Sequence, residues 1–407
     1  MEIYLVGGAV RDSLLNYPSS ENDWVVVGAT TEHMTDQGFK PVGQDFPVFI
    51  HPKSSEEYAL ARTERKSGRG YKGFEFYTSV DVSLEDDLIR RDLTINAMAQ
   101  DNAGNIVDPF GGQQDLEKKL LRHVSNAFTE DPLRVLRVAR FAARYHHLGF
   151  TIASETMDLM KSIVAEGEMA FLVAERVWKE TSRALTERSP QVFIQVLRDC
   201  GALKALLPEI DSLFGVPQRA DYHPEIDTGT HTLMALEQSV KLSDCSAVRF
   251  SVLVHDLGKA LTSETVLPSH RGHEKSGLPL VKALCDRLTV PNSHRQLAMA
   301  VTEYHLHSHK AKELKPATIL KLFQNIGALR DDRRLSDFLY CCEADARGRT
   351  GFEDITYHAR DYLIAALHSL KKVDISDLVA DGVKGADIGR ELKQRQITQL
   401  TAFKSDY

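Results

Sequence analysis

Residues Ser19 to Gly28 read SSENDWVVVG, placing Glu21 and Asp23 one residue apart just before Trp24, Val25, Val26 and Val27. The apolar run predicts a buried β-strand. In an extended segment residues i and i+2 share a face, so Glu21 and Asp23 would present two carboxylates side by side at the edge of a sheet. A solvated loop entering a buried strand accounts for the same letters, and for a lone E-x-D that plainer reading usually wins.

The residues upstream bear on the choice. YLVGGAVRDSLL, Tyr4 to Leu15, reads as a strand, a Gly7-Gly8 turn and a helix. That order aims backbone N–H groups at an anion, and Arg11 could add a bidentate grip on phosphate oxygens, although a double glycine is more often only a tight turn. Two hard carboxylates beside a triphosphate are the ligand set that Mg²⁺ takes, and two such ions can clamp an in-line displacement at phosphorus. Glu57, in the strand-like EEYALAR, is a candidate third carboxylate.

The chain has 407 residues, 43% hydrophobic and 26% charged, with a net charge of −7. Its length predicts two to four compact units, and its charge makes any nucleic-acid surface a matter of local basic clusters. Residues 118 to 144 contain seven Lys or Arg (Lys118, Lys119, Arg122, Arg134, Arg137, Arg140, Arg144) against Glu130 and Asp131. ARTERKSGRGYKG, Ala61 to Gly73, reads as a basic, mobile loop with Arg62, Arg65, Lys66, Arg69 and Lys72. Such patches contact phosphates without reading sequence. The five cysteines show no CxxC spacing, and the N-terminus fails the signal-peptide pattern. With no run of about 18 apolar residues to span a membrane, the expectation is a soluble cytoplasmic protein.

Strand signals (IYLVGG, WVVVG, PVFIHP, EEYALAR, FEFYTSV, GNIVDPF) are confined to residues 1 to about 110, and helical periodicity follows from about 115. The expected fold is an α/β head, a small mixed sheet with helices, followed by all-α regions, a neck, a His-rich part and a tail. Boundaries fall at 1–140, 141–225, 226–330 and 331–407, with Phe214 to His231 taken as a connecting loop.

In EDPLRVLRVARFAAR, Asp131 is placed as N-cap and Pro132 as the first helical residue. Arg134, Arg137 and Arg140 recur every third residue, which in an arbitrary helix describes a solvated face. In VLVHDLGKA the adjacent His255 and Asp256 end an apolar helix, where a polar pair is costly unless bonded or ligating a metal. His231, His270, His273, His305 and Asp345 complete a mixed N/O set suited to borderline divalent ions.

These motifs have a family resemblance. LVGGAVRD, END-WVVVG, RRDLTINAMA, DPFGG and EDPLRVLRVARF resemble, in order and spacing, the bacterial class II tRNA nucleotidyltransferases that add CCA to tRNA 3′ ends. HPEIDTGTHTLM, VHDLGKALT and EADARGRTGFE are similar to the multifunctional members, which carry an HD phosphohydrolase domain. The resemblance implies Glu21 and Asp23 as catalytic Mg²⁺ ligands, and Gly8, Arg11, Arg91, Asp131, Arg134, Arg137 and Arg140 as the CTP and ATP site. Asp131 and Arg134 would read the base, Arg137 and Arg140 would lie near base or phosphates, and Asp92 and Asn96 would organise the site. A carboxylate and a guanidinium match the donor and acceptor edge that cytosine and adenine share and that G and U lack.

The resemblance also implies His231, His255 and Asp256 as ligands of a transition metal, with Ni²⁺ the candidate, and less firmly His273, His305 and Asp345. The implied hydrolytic activities are 2′,3′-cyclic phosphodiesterase, 2′-nucleotidase and phosphatase. tRNA is the implied partner, without DNA or membrane, for a monomer or homodimer. The family has Asp where this chain has Glu21, one methylene longer. A bacterial poly(A) polymerase, and an HD phosphohydrolase with a regulatory nucleotide- or RNA-binding domain, are the alternatives.

Overall fold

A computed structural model of the chain describes residues 1–18, 22–42, 48–66, 74–377 and 384–407. Glu21, Arg69 and Lys72 lie outside the described residues. The chain divides into two compact units, Met1–Leu206 and Leu207–Tyr407.

The first unit is built on a seven-stranded mixed sheet. Its strands are β1 (Glu2–Val6), β2 (Asp23–Val27), β3 (Lys40–Val42), β4 (Val48–Ile50), β5 (Glu57–Leu60), β8 (Ala99–Gln100) and β9 (Ile106–Val107), ordered β3-β4-β5-β2-β1-β8-β9. Strands β6 (Thr63–Lys66) and β7 (Phe74–Tyr77) form a separate antiparallel hairpin. The parallel pair β10 (Leu120–Leu121) and β11 (Thr151–Ile152) brackets the helix Leu133–Tyr145 in the chain.

The apolar run of β2 is continuous because the sheet is covered on both faces. Val25, 3% exposed, packs with Val6, Ala61, Val82, Leu88, Ala97 and Ala99, whereas Val26, 1% exposed, packs with Met34, Phe39, Phe49, Tyr58 and Leu60. Each valine contributes about 1.5–3 kcal/mol of burial, and neither can rotate outward without a register slip that flips the whole strand. The first residue of β2 is therefore held rigidly, and that residue is Asp23. Antiparallel pairing sets Asp23 opposite Val6, the residue before the glycine turn, and parallel pairing sets it beside Glu57.

DPFGG is scaffold for that arrangement. Asp108 accepts from the N–H groups of Gly112 (2.7 Å) and Gln113 (2.9 Å). A Cβ on Gly112 would meet Thr94 O at 2.4 Å, so the turn lies against the LTIN segment.

The second unit is helical. Its core runs from Ala235 through Val248, Val301, Phe323, Phe338, Cys342 and Leu363 to Leu400. The helices Thr228–Leu242, Ser246–Val254, His273–Arg287, Asn292–His309 and Asp332–Arg347 carry or border the histidine cluster. Two local expectations are corrected. The connecting loop ends at Asp227, whose side chain caps Thr230 N–H, so His231 lies in the first turn of a helix. The arginine helix starts at Leu133 with Pro132 as N-cap, one residue later than expected, because Asp131 stays extended and accepts from Leu133 N–H at 3.1 Å. No described helix is long and apolar enough to cross a membrane.

Candidate functional site

A cavity of about 670 Å³ opens over the Asp23 edge of the sheet. Gly7, Gly8, Arg11, Asp23, Glu57, Arg91, Asp92, Asn96, Asp131, Arg134, Arg137 and Arg140 all line it. The chain thus brings every described residue named from sequence for metal and nucleotide in the head into one space, and Glu57 with them, whereas Lys118, Lys119 and Arg122 lie outside it. Ten arginines face six carboxylates there, a surplus of four positive charges that suits a polyanion.

The glycine turn is shaped by close approach. Gly7 has φ +67°, and a Cβ on it would lie 2.7 Å from Nη1 of Arg91. Arg91 is held there by Asp87 at 3.1 Å. Arg11 is 4% exposed; its Nε pairs with Asp12 at 2.8 Å, and its guanidinium sits 5.1 Å over the Phe141 ring and 5.2 Å over Tyr145. It also bonds Asn96 Oδ1, and Asn96 donates to Asp92 at 2.8 Å. Asp92 in turn accepts from Arg137 Nε at 2.7 Å. One relay therefore ties the glycine-turn helix to the arginine helix. Burial pushes the Asp92 carboxyl up, but the Arg137 charge, the hydrogen bonds from Asn96 and Arg137 and the Arg134 charge together outweigh it and hold the group far below the ordinary carboxylate range.

The arginines are not a solvated face. Arg134, 8% exposed, donates to the carbonyls of Ala127 (2.6 Å) and Arg90 (2.5 Å), which fixes its plane. Arg140, 6% exposed, pairs with Glu180 at 2.7 Å, with Glu187 at 3.7 Å. Asp131 is gripped by Arg176 at 2.8 Å. Arg176, Glu180 and Arg183 were missed in the sequence because AERVWKETSRALT reads as an ordinary amphipathic helix. The available signal was Glu180 itself, a charge on the same face as Val177 and Ala184.

The second cluster lies within the helical unit and is fully buried. Nε2 of His231 is 3.0 Å from Asp345 Oδ1, and Nε2 of His255 is 3.2 Å from Asp256 Oδ2. His273 and His305 approach Asp256 Oδ1 at 3.2 and 3.8 Å. The approach depends on Gly258, where a Cβ would strike His273 O at 2.0 Å. Burial pushes the His255 imidazole down, yet the Asp256 and Asp345 carboxylates together override it and lift the group to about 10. His255 Nε2 and both Asp256 oxygens are buried with no well-aligned hydrogen bond, their polar neighbours being each other, His273 and Lys259, and this donor set fits a divalent ion among them.

His270 is not in the inner set. Its two ring nitrogens are engaged by Thr262 Oγ1 (2.8 Å) and Pro217 O (2.9 Å). Lys259, which pairs with Asp256 at 2.6 Å, and His309, 2.7 Å from Asp345, were missed. Lys259 had a signal, lying three residues after Asp256 in a buried apolar stretch.

Three protein families match successive parts of the chain. Residues 3–122 match the family described as the poly A polymerase head domain, residues 149–214 a probable RNA- and SrmB-binding site of polymerase A, and residues 228–336 the HD domain. A Teredinibacter turnerae protein named Multifunctional CCA protein is 56% identical over 405 residues, covering 100% of this chain and 98% of the relative. A Pseudomonas fluorescens protein of the same name is 57% identical over 407 residues, covering 100% of both. Among solved structures, the Bacillus stearothermophilus CCA-adding enzyme in complex with CTP aligns with TM-score 0.66 at 22% identity, over 98% of this chain and 89% of that one. The Thermotoga maritima CCA-adding enzyme complexed with tRNA_CCA aligns with TM-score 0.65 at 20% identity, over 98% and 87%. With its nucleotidyltransferase head, its HD domain and full-length identity above half, the chain belongs to the multifunctional CCA proteins.

Proposed function

We propose that this chain adds and repairs the 3′-terminal CCA of tRNA, using CTP and ATP and releasing pyrophosphate. The observation that carries the reading is the placement of Asp23 beside Glu57 in the same cavity as Asp131 and Arg137. Asp23, with Glu21, would hold Mg²⁺, which would supply Lewis acidity at the attacking hydroxyl and charge neutralisation at phosphorus. Gly7 and Gly8 let the guanidinium groups of Arg91 and Arg11 close on the turn, where both line the cavity and meet the phosphates. Asp131 accepts from the exocyclic amino group of cytosine or adenine, and the fixed plane of Arg134 donates to the ring acceptors. The Arg11–Asn96–Asp92–Arg137 relay keeps Arg137 and its neighbour Arg140 oriented towards the nucleotide.

Residues 1–140 act as this head, 141–225 as the helical neck, 226–330 as the HD region and 331–407 as the tail. The basic residues of 118–144 contribute non-specific contacts to tRNA. The protein works in the cytoplasm.

The HD cluster is a phosphohydrolase acting on 2′,3′-cyclic phosphates, 2′-nucleotides and phosphomonoesters. Its donor set suits a transition ion such as Ni²⁺, held by His231, His255 and Asp256 with Asp345. An ion held there would supply Lewis acidity at phosphorus. Lys259, buried beside Asp256, carries the positive charge for a phosphate oxygen.

The test is incorporation of labelled CTP and ATP into tRNA lacking its 3′ terminus. Addition of two C residues and then one A is expected. Unlimited addition of AMP alone would identify a poly(A) polymerase instead, and no addition at all would leave the HD hydrolase with a regulatory head.

A further inference from the structure

Gln218, in the segment that precedes the helix Thr228–Leu242, is 3% exposed and uses only part of its hydrogen-bonding capacity. Its backbone N–H donates to Ile226 O at 2.5 Å, and its neighbour Pro217 pairs with Asp227 in an isolated antiparallel bridge. His270 Nε2, 2.9 Å from Pro217 O, ties the same point to the segment before the helix His273–Arg287. The side chain therefore leaves a backbone that is held from two directions.

Its Oε1 accepts from Lys259 Nζ at 2.5 Å. An ammonium only donates, so the amide oxygen faces Lys259 and the amide cannot be turned over. Nε2 then carries two N–H groups, and it is buried with no acceptor among the described residues. Buried donors are nearly always bonded, because stripping one of water without return is costly. Nε2 shares a carbon with Oε1 and so lies within one amide's width of the Lys259 ammonium. That ammonium, 6% exposed, gives a second N–H to Asp256 at 2.6 Å and has a third to offer. An anionic oxygen taking the third N–H brings its neighbouring oxygens within reach of Nε2. A phosphoryl group, with several strong acceptor oxygens on one centre, fits a cation and an amide placed side by side.

We propose that Gln218 contacts the phosphoryl group of the substrate in the second unit, Oε1 fixing Lys259 and Nε2 donating to a phosphate oxygen. This rests on reading the second unit as a phosphohydrolase. Gln218 precedes residues 228–336, the part that matches the HD domain, so the contact is supplied by the connecting segment. A neutral donor does not require a dianion, which lets one site accept cyclic diesters and monoesters alike.

The test titrates inorganic phosphate into the full-length chain loaded with Co²⁺ and follows melting by circular dichroism, beside hydrolysis of a 2′,3′-cyclic nucleotide. Tryptophan fluorescence, which reports Met1–Leu206, separates any effect of phosphate on the head. Gln218→Glu keeps an acceptor for Lys259 and loses the donor, whereas Gln218→Met loses both; melting without phosphate checks that each folds. Both variants should bind phosphate about tenfold more weakly, with a matching fall in kcat/KM for hydrolysis and unchanged nucleotide addition. Parent-like phosphate binding in Gln218→Glu, with loss only in Gln218→Met, would show that Gln218 acts through Lys259 alone and overturns the proposal. Parent-like binding in both variants also overturns it, since an ordered water then satisfies Nε2. A parent that binds phosphate but hydrolyses nothing, with binding weakened in both variants, sinks the hydrolase reading and keeps the phosphate contact. A parent that does neither sinks both.

Discussion

Glu180 is the sharpest point at which to test how the arginine helix is held. The Glu180 side chain is 5% exposed and accepts from Arg140, itself 8% exposed, at 2.7 Å, with Arg137 at 3.9 Å. Removing one partner of a buried pair strands the other charge at a cost of about 3–5 kcal/mol. Glu187 remains 3.7 Å from Arg140, so part of the charge stays matched and Glu180→Ala should cost about 2–3 kcal/mol. For a unit of this size that lowers the melting midpoint by about 5–10 °C.

Both tryptophans, Trp24 and Trp178, lie in Met1–Leu206, so urea unfolding followed by tryptophan fluorescence reports this unit alone. Loosening Arg137 and Arg140 should also remove about 1.4 kcal/mol of charge-assisted contact with the nucleotide, a roughly tenfold loss in kcat/KM for both CTP and ATP. Glu180→Gln should fall between. A variant within about 0.5 kcal/mol of the parent, with unchanged kcat/KM, refutes the reasoning, since that is the range of an ordinary surface change.

Gly7→Ala forces a side chain onto φ +67° and into Nη1 of Arg91, so nucleotide addition should drop sharply while hydrolysis by the HD cluster is unaffected. Loss of both activities together would contradict it. The depressed Asp92 carboxyl binds its proton less readily when folded than unfolded, so its contribution is present above about pH 4 and fades as pH falls further. Asp92→Asn should accordingly flatten the acid limb of the tryptophan-monitored stability curve below about pH 4, and parallel curves would argue against the relay. Chelation should lower the melting of the second unit, seen by circular dichroism, because an ion bound only by the folded arrangement of His231, His255, Asp256 and Asp345 stabilises that unit. Added Co²⁺ or Mn²⁺ should restore it, and indifference to both treatments would show that no ion is bound there.

The fold was legible where one physical signal dominated. WVVVG marked a strand because both faces of β2 are buried, and GGAVRD marked a turn because Arg91 leaves no space for a side chain at Gly7. The helix start at EDP was off by one residue, since the Asp131 carboxylate bonds Leu133 N–H and Arg176 at once. What stayed hidden were partners distant in sequence. Nothing in the local pattern of Arg134, Arg137 and Arg140 distinguishes a solvated stripe from a buried one. The difference lies in Glu180, forty residues beyond Arg140, and in the carbonyls of Ala127 and Arg90. In the second unit the letters named the cluster but not its inner membership. His270 spends both nitrogens on Thr262 and Pro217, and His309 and Lys259 brace the carboxylates.

The central claim is that one chain carries two chemistries at two separate sites. The direct measurement is a pair of full-length variants, Asp23→Ala and His255→Ala, each assayed for CTP and ATP addition to truncated tRNA and for hydrolysis of a 2′,3′-cyclic nucleotide. Asp23→Ala should abolish addition and spare hydrolysis, and His255→Ala should do the reverse. Equal loss of both activities in either variant would contradict the account.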